Sequence, residues 1–365
     1  MATAHINRIG TAVPPHDVHE PFVRFVEGFM TERRDQMIFK RMVSRSGIER
    51  RFSYFEPVTD PDGFVADTEG FYTPGNFPGT AARMARFEKT GPQLAMQALD
   101  ALNLDGERER ITHLVVASCT GHIAPGIDQL IVKAAGLNPG VERTAVGFMG
   151  CYAAVNSLRL AHHFVRSEPH ARVLVVNLEL CTLHFQQTGN IEQILSMLLF
   201  GDGCSATLVA ADETGIALKD FRATTIEDSN EAITWRIGDQ GFDMHLSGEV
   251  PGRVQRALKF ENERNDDTGL LRGLRPADYD VWAVHAGGRT ILDAVETGFE
   301  LAPDTLNWSR GVLRDFGNMS SATLMFVLQR ILAASGTTVK KAADGFAVAF
   351  GPGLAAESFR FKMVG

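Results

Sequence analysis

Cysteine is scarce in this chain: Cys119, Cys151, Cys181 and Cys204 are the only four among 365 residues, and none forms a CxxC pair. That spacing excludes the common zinc knuckles and a disulfide framework. No apolar run reaches the ~20 residues a membrane-spanning helix needs, so no stable membrane insertion is expected. A basic tract is also missing. The net charge is −8, which favours solubility and argues against a nucleic-acid partner. The opening MATAHINRIG lacks the apolar centre of a signal peptide, and free thiols without an export signal fit a reducing cytoplasm. What remains is ordinary globular material, 44% hydrophobic and 22% charged, enough for one large or two packed domains.

Chemistry concentrates in residues 144–164, TAVGFMGCYAAVNSLRLAHHF. The apolar run Ala145 to Met149 predicts a buried strand, Gly150 a turn, and the spacing of Ala153, Ala154, Leu158, Leu160, Ala161 and Phe164 a helix. Cys151 therefore stands between a strand end and a helix start, where orphan backbone N–H groups and the positive helix end converge. Both favour thiolate, the nucleophilic form. A small buried core cysteine is the competing account.

The flanking chain is predicted as follows. Residues 1–60 carry helical patterns and a basic cluster, Lys40, Arg41, Arg45, Arg50 and Arg51, which fits a solvated helix face or a ligand site. Residues 60–80 (DPDGF, YTPGNFPGT) form a loop. A helix covers 87–102, HLVVAS (113–118) is a strand, CTGHIAPG (119–126) a loop, and 127–137 a helix. ARVLVVNLEL (171–180) and SATLVAAD (205–212) are strands. The second half repeats this order: strand and Gly-rich turn at 281–288, helix at 289–301, a turn feeding a helix at 315–335, and strand, glycine turn, strand at 345–361. Ser118 precedes Cys151 by 33 residues, and His285 precedes Asn318 by 33. Agreement of element order at equal spacing points to a duplicated βα arrangement, an α/β fold with helices covering the sheets. The halves are expected at 1–212 and 213–365. Cys151 and Asn318 then fall at matching helix starts, with His285 at a strand end, where open α/β sheets build their sites. Singly, a lone His or an Asn before a helix is ordinary structure. Together they make a nucleophile, a base or donor, and an amide donor.

These residues sit in motifs that resemble the type III polyketide synthases, the chalcone and stilbene synthase family of the thiolase superfamily. The motifs are GC at 150–151, LFGDG at 199–203, VPG at 250–252, WAVHAGGRTILDAVE at 282–296, GNMSSAT at 317–323 and FGPGLAAE at 350–357. The resemblance runs from about residue 40 to the C-terminus. It implies a five-layered αβαβα fold with two duplicated halves, a homodimer, and no metal or organic cofactor. It implies acyl transfer to Cys151, with His285 pairing with the thiolate and His285 and Asn318 forming the oxyanion hole for malonyl-CoA. An enolate formed by decarboxylation would then extend the chain by Claisen condensation, and ring closure would release a pyrone or a resorcinol-type product.

Phe200 matches the first of the family's two gatekeeper phenylalanines, and Met244, a departure, stands at the second. Arg41 and Arg45 match positions that hold coenzyme A phosphates. Thr120, Ala124 and Cys181 are expected to line the pocket floor, in a combination similar to bacterial long-chain alkylpyrone synthases. Plant chalcone synthases have Met at the position of Ala124, where it reaches across the dimer interface. Ser320 is expected in the same pocket. His184 and Trp235 replace smaller residues and would narrow the elongation chamber. The implied substrates are a medium- or long-chain acyl-CoA and malonyl-CoA. Alternatives are an initiating β-ketoacyl-carrier-protein synthase with the same Cys, His and Asn, a cysteine hydrolase in which Asn orients His, and a non-catalytic binding protein of the same fold.

Overall fold

The computed structural model describes residues 2–59 and 65–364. The DPDGF part of the expected loop lies outside them. One nine-stranded sheet runs Val281–Val284, Asp344–Gly351, Ala355–Val364, Gly215–Thr225, His5–Ala12, Asp202–Ala210, Val173–Leu180, His113–Ser118, Glu142–Gly147. Its seam is narrow: His5–Ala12 meets Gly215–Thr225 only at His5↔Ala217 and Ile6↔Ile216. Outward from that seam the two halves repeat the same strand order and directions. His113–Ser118 is parallel to Val173–Leu180, as Val281–Val284 is to Asp344–Gly351. Each central strand then pairs antiparallel with the next in sequence.

Side-chain alternation along the strands builds the layers, because successive residues point to opposite faces. Leu114, Val116, Leu174 and Val176 pack outward on Leu94, Ala98 and Ile131, from the helices Thr80–Leu102 and Ile127–Ala135. Val115, Val173 and Val175 pack inward on Ala154, Leu158, Leu324 and Val327. These belong to the helices Ala153–Ser167 and Ala322–Ala333, which also meet Ala283, Ala347 and Ala349 of the other half. Trp282, Val284, Phe346 and Val348 face outward on Val254, Leu258, Leu292 and Val295, from Val250–Glu263 and Arg289–Gly298. Helix, sheet, helix, sheet, helix is the five-layered αβαβα, thiolase-like arrangement.

Three local expectations are corrected. The strand before Cys151 is Glu142–Gly147 rather than 145–149, and it is a half-exposed edge rather than buried. Phe148 at φ 55° ends it early by leaving extended geometry. The first 60 residues contain the helices His19–Phe29 and Arg33–Arg45, but they begin with the seam strand His5–Ala12, whose mixed burial hides a period of two. The halves also differ in the repeat itself: where the first has the strand Glu142–Gly147, the second has the helix Asn307–Phe316.

Candidate active site

Cys151 sits in a one-turn 3₁₀ helix, Gly150–Tyr152, that runs into Ala153–Ser167. Gly150 is required there, because its φ is +72° and a Cβ would lie 2.3 Å from Pro352 Cδ. Tyr152 Oη donates to the Pro352 carbonyl at 3.2 Å. The FGPG motif is thus the wall against which the cysteine turn is pressed. His285 follows the strand Val281–Val284, is 1% exposed, and is anchored by its backbone N–H to Val348 O at 2.9 Å. Neither ring nitrogen has a hydrogen-bond partner among the described residues.

Asn318 is held on both sides. Its N–H donates to Leu199 O at 2.8 Å, and its carbonyl accepts from Gly201 N at 3.0 Å, which joins GNMSS to LFGDG. Its Nδ2 donates to Gly287 O at 3.1 Å, and its Oδ1 accepts from Ser320 N at 2.8 Å. Amide orientation is therefore set with the NH₂ toward the His285–Gly287 turn. The Asn318 and Ser320 side chains also hydrogen-bond the Cys151 sulfur.

Cys151, His285 and Asn318 converge on one cavity of about 500 Å³. Burial pushes the Cys151 thiol up to about 12, against hydrogen bonds from Ser320 and Asn318 that lower it, and pushes His285 down to about 3. The resting site therefore holds a thiol beside a neutral imidazole. Desolvation here outweighs the helix-end donors, which favour the thiolate. Charge separation here means moving one proton from sulfur to the ring, which creates anion and cation together.

Of the other expected site residues, Thr120, Cys181, His184, Phe200, Trp235, Met244, Ser320 and Arg45 line the same cavity. Trp235 and Met244 face each other across the hairpin of Ile233–Gly238 and Gly241–Leu246. Trp235 Nε1 donates to Cys119 O at 2.7 Å. His184 stacks on Phe242 with ring centroids 4.1 Å apart, while its Nε2 lies 2.7 Å from Thr120 O and its Nδ1 accepts from Phe242 N at 3.0 Å. Burial holds that imidazole at about 3, so it is a neutral wall.

Two expected residues stand outside the cavity. Ala124 is exposed: the chain after Thr120 turns away to the surface, and the Ala124–Pro125 step lies at the tip of that loop. Arg41 is exposed on Arg33–Arg45, one turn before Arg45, and only Arg45 reaches the cavity mouth. Arg51, expected with the basic cluster on a solvated helix face or at a ligand site, is 2% exposed and lines the cavity. It donates to the carbonyls of Met197 and Phe200 at 3.0 and 2.7 Å and lies over the Phe22 ring, so it ties down the LFGDG loop.

Sequence reasoning missed three contributors. Phe242 and Arg289 line the cavity from elements placed by tertiary contacts. Glu179 is wholly buried and accepts from Cys119 N at 3.1 Å, Thr120 Oγ1 at 2.9 Å and Ser321 Oγ at 2.5 Å. Burial raises its carboxyl above the usual range. A carboxylate near the end of the otherwise apolar ARVLVVNLEL run was the available signal.

The site and fold agree with what sequence comparison finds. Residues 2–213 match the N-terminal domain of the chalcone and stilbene synthases, and residues 218–365 match their C-terminal domain. The chain belongs to that family, the type III polyketide synthases. Among characterised relatives, the alpha-pyrone synthesis polyketide synthase-like Pks18 of Mycobacterium tuberculosis is 33% identical over 69% of this chain. That match spans 65% of the mycobacterial protein's length. Bisdemethoxycurcumin synthase of Oryza sativa is 33% identical over 97% of this chain and 91% of its own. Among solved structures, PKS-I of the brown alga Ectocarpus siliculosus superposes with a TM-score of 0.83 at 27% identity, covering 100% of this chain and 99% of its own. The C-terminal type III polyketide synthase domain of Dictyostelium Steely1 gives 0.87 at 25% identity, with both chains covered to 100%.

Proposed function

We propose that the protein condenses an acyl-CoA starter with malonyl-CoA by decarboxylative Claisen condensation. Cys151 Sγ attacks the starter thioester, its proton passes to the neutral His285 ring, and coenzyme A leaves as the thiol. Malonyl-CoA then loses carbon dioxide, and negative charge develops on its thioester oxygen. A preorganised pair of donors, the His285 ring N–H and Asn318 Nδ2, meets that charge. A carboxylate in place of Asn318 would repel it. The enolate carbon attacks the acyl-Cys151 carbonyl, the carbon–sulfur bond to Cys151 breaks, and the released thiolate takes up a proton, leaving a β-ketoacyl-CoA two carbons longer. The reaction draws on no metal or organic cofactor. The observation that carries the reading is the convergence on one apolar cavity of Cys151, an imidazole with no partner on either nitrogen among the described residues, and an oriented amide.

The proposed starter is a medium- or long-chain fatty acyl group, and the proposed product an alkylpyrone or alkylresorcinol. Leu195, Leu198, Leu199 and Ile233 line the cavity, and each buried methylene is worth roughly 0.8 kcal/mol. The mycobacterial relative's name gives an alpha-pyrone product, which supports the same class here. Trp235 and His184, locked by hydrogen bonds on one wall, leave room for few condensations. Met244 beside Phe200 makes a softer gate, and Arg45, with Arg41 behind it, would hold the coenzyme A phosphates.

The proposal includes a homodimer in the cytoplasm, with the two halves dividing near 212/213. The edge strand Glu142–Gly147 supports a dimer, since an unpaired edge with exposed Ala145 invites a second strand. No described helix is long and apolar enough to cross a membrane.

The test is mass spectrometry of products from a panel of acyl-CoA starters with free malonyl-CoA. The expected outcome is carbon dioxide release and pyrone or resorcinol products, with kcat/KM rising with starter length to a plateau. Turnover only with a malonyl carrier protein would indicate the initiating β-ketoacyl synthase, and hydrolysis without carbon dioxide release a cysteine hydrolase. Cys181→Phe, which fills the cavity floor, is expected to lose long starters selectively.

A further inference from the structure

Three of the four thiols share one cavity. Cys119, Cys151 and Cys181 all line it, whereas Cys204 packs outward in the cluster with Leu94 and Leu174. Cys119 has no part in the acyl-transfer chemistry above, yet all its polar atoms are engaged. Its N–H donates to Glu179 Oε2 at 3.1 Å, and its carbonyl accepts from Trp235 Nε1 at 2.7 Å. Its sulfur lies 3.2 Å from Glu179 Oε1 and 3.2 Å from Ser320 Oγ.

Ser320 Oγ is the pivot. The hydroxyl that meets Cys119 Sγ also hydrogen-bonds the Cys151 sulfur, so a single oxygen atom stands between two thiols. The backbone brings them there independently. Ser118 and Gly147 are register partners on neighbouring parallel strands. Cys119 follows the first at once, and Cys151 follows the second after the turn at 148–150. Neighbouring strands run ~4.8 Å apart, within the ~4.4–6.8 Å that a disulfide spans between Cα atoms. Turning each side chain about its Cα–Cβ bond, past Ser320 Oγ, brings the sulfurs together. Glu179 supplies a base, since its Oε1 accepts the Cys119 S–H. A reactive cysteine beside a second thiol in an open cavity is the arrangement in which oxidation ends at a disulfide.

We propose that Cys119 is a resolving thiol, which forms a reversible disulfide with Cys151 when hydrogen peroxide enters the cavity. In the first step the Cys151 proton passes to the neutral His285 ring, and the sulfur attacks one peroxide oxygen. The O–O bond breaks, Cys151 becomes a sulfenic acid, and the other oxygen leaves as water with the proton from His285. Sulfur gives up an electron pair, which the peroxide takes. In the second step Cys119 gives its proton to Glu179, and its sulfur bonds to the Cys151 sulfur. The S–O bond breaks, and the departing hydroxide takes the Glu179 proton as water. The disulfide removes the nucleophile from use and keeps it from the irreversible sulfinic and sulfonic acids. A reducing thiol restores both groups by exchange.

In the experiment, purified full-length protein is treated with hydrogen peroxide, free thiols are capped with iodoacetamide, and the unreduced digest is read by mass spectrometry. Wild type, Cys119→Ser and Cys181→Ser are each compared with their own untreated samples, and a second aliquot of each receives dithiothreitol before capping. The expected product in wild type is a peptide pair joined through Cys119 and Cys151, lighter by the hydrogens lost from both thiols. Capping of Cys151 should fall about tenfold or more with peroxide and return to within about twofold after dithiothreitol. In Cys119→Ser it should fall about tenfold and stay down, with Cys151 found as the sulfinic acid. Cys181→Ser should behave as wild type. The linked pair in wild type carries the result even where a variant fails to fold. Wild-type Cys151 converted to sulfinic acid with no linked pair overturns the inference, as does capping of Cys151 that peroxide leaves unchanged. A pair joined through Cys181 also overturns it, by giving the resolving role to the cavity floor.

Discussion

In the first half of the molecule the side chain that follows the strand His113–Ser118 is Cys119; in the second half, after Val281–Val284, it is His285. Both are buried, but they are held differently. The Cys119 sulfur lies 3.2 Å from Glu179 Oε1 and 3.2 Å from Ser320 Oγ, whereas neither His285 ring nitrogen has a partner among the described residues. The next matching pair is Cys151 and Asn318, each just past a glycine of positive φ, Gly150 at +72° and Gly317 at +68°. Each glycine is pressed by the opposite half: a Cβ on Gly150 would meet Pro352, and one on Gly317 would meet Leu199 O and Arg51. The comparison teaches how a duplicated fold specialises. The glycine turn is repeated, while one half presents the Cys151 thiol and the other the His285 ring, whose nitrogens have no partner among the described residues.

Removing the nucleophile breaks the comparison most severely. Cys151→Ala is expected to abolish acyl loading and to lower turnover by ~10⁴ or more. Intact-protein mass spectrometry after incubation with acyl-CoA checks it, since an adduct persisting in the variant would assign loading to another cysteine. At the matching position, Asn318→Ala is expected to lower decarboxylation by ~10²–10³ while sparing acyl loading. Radiolabelled carbon dioxide release, read beside the mass adduct, separates the two steps. Unchanged release with lost loading would reverse the assignment.

The electrostatic difference is open to titration. With the Cys151 thiol near 12 and His285 near 3, a raised thiol pKa means less thiolate at neutral pH. Iodoacetamide alkylation of Cys151 should therefore keep rising through pH 9, and His285 protonation should add no acidic limb above about pH 4. An alkylation rate already level below pH 7 would mean a preformed thiolate–imidazolium pair.

The glycine symmetry predicts a smaller effect. Gly150→Ala and Gly317→Ala should each cost about 1–3 kcal/mol of stability, from left-handed strain and forced overlap. Denaturant midpoints should fall in both, with unchanged m-values. Loss in only one would mean that the halves are not equally braced. The mildest expectation concerns Ala124→Met. On the single chain this exposed position leaves the cavity untouched, so stability should shift by no more than ~0.5 kcal/mol. In the proposed homodimer the new side chain would cross into the partner's cavity and selectively lose long starters. An unchanged length profile would place the loop tip away from any subunit interface.

Much of this was legible in the residues. The strand HLVVAS appears with the bounds predicted, the nearly equal intervals from strand end to Cys151 and Asn318 correspond to repeated topology, and GC, GNMSS and FGPG meet at one point. These are local patterns of alternation, turn chemistry and spacing, which a chain carries along its length. The seam strand His5–Ala12 and the hairpin carrying Trp235 and Met244 were not legible, because their partners lie far away in sequence or above a cavity that only the packed layers create.

By itself the sequence determined where each half turns into its central helix and which chemical group stands at that turn, because a glycine, Gly150 or Gly317, marks each turn next to Cys151 or Asn318 in the chain. Tertiary structure alone decided the state of those groups. It turned Ala124 and Arg41 away from the cavity, buried Arg51 beneath the LFGDG loop, and left the imidazole of His285 without a partner among the described residues. It also held Cys151 as a thiol, since desolvation sums over every atom packed around a group, and those atoms come from both halves of the chain.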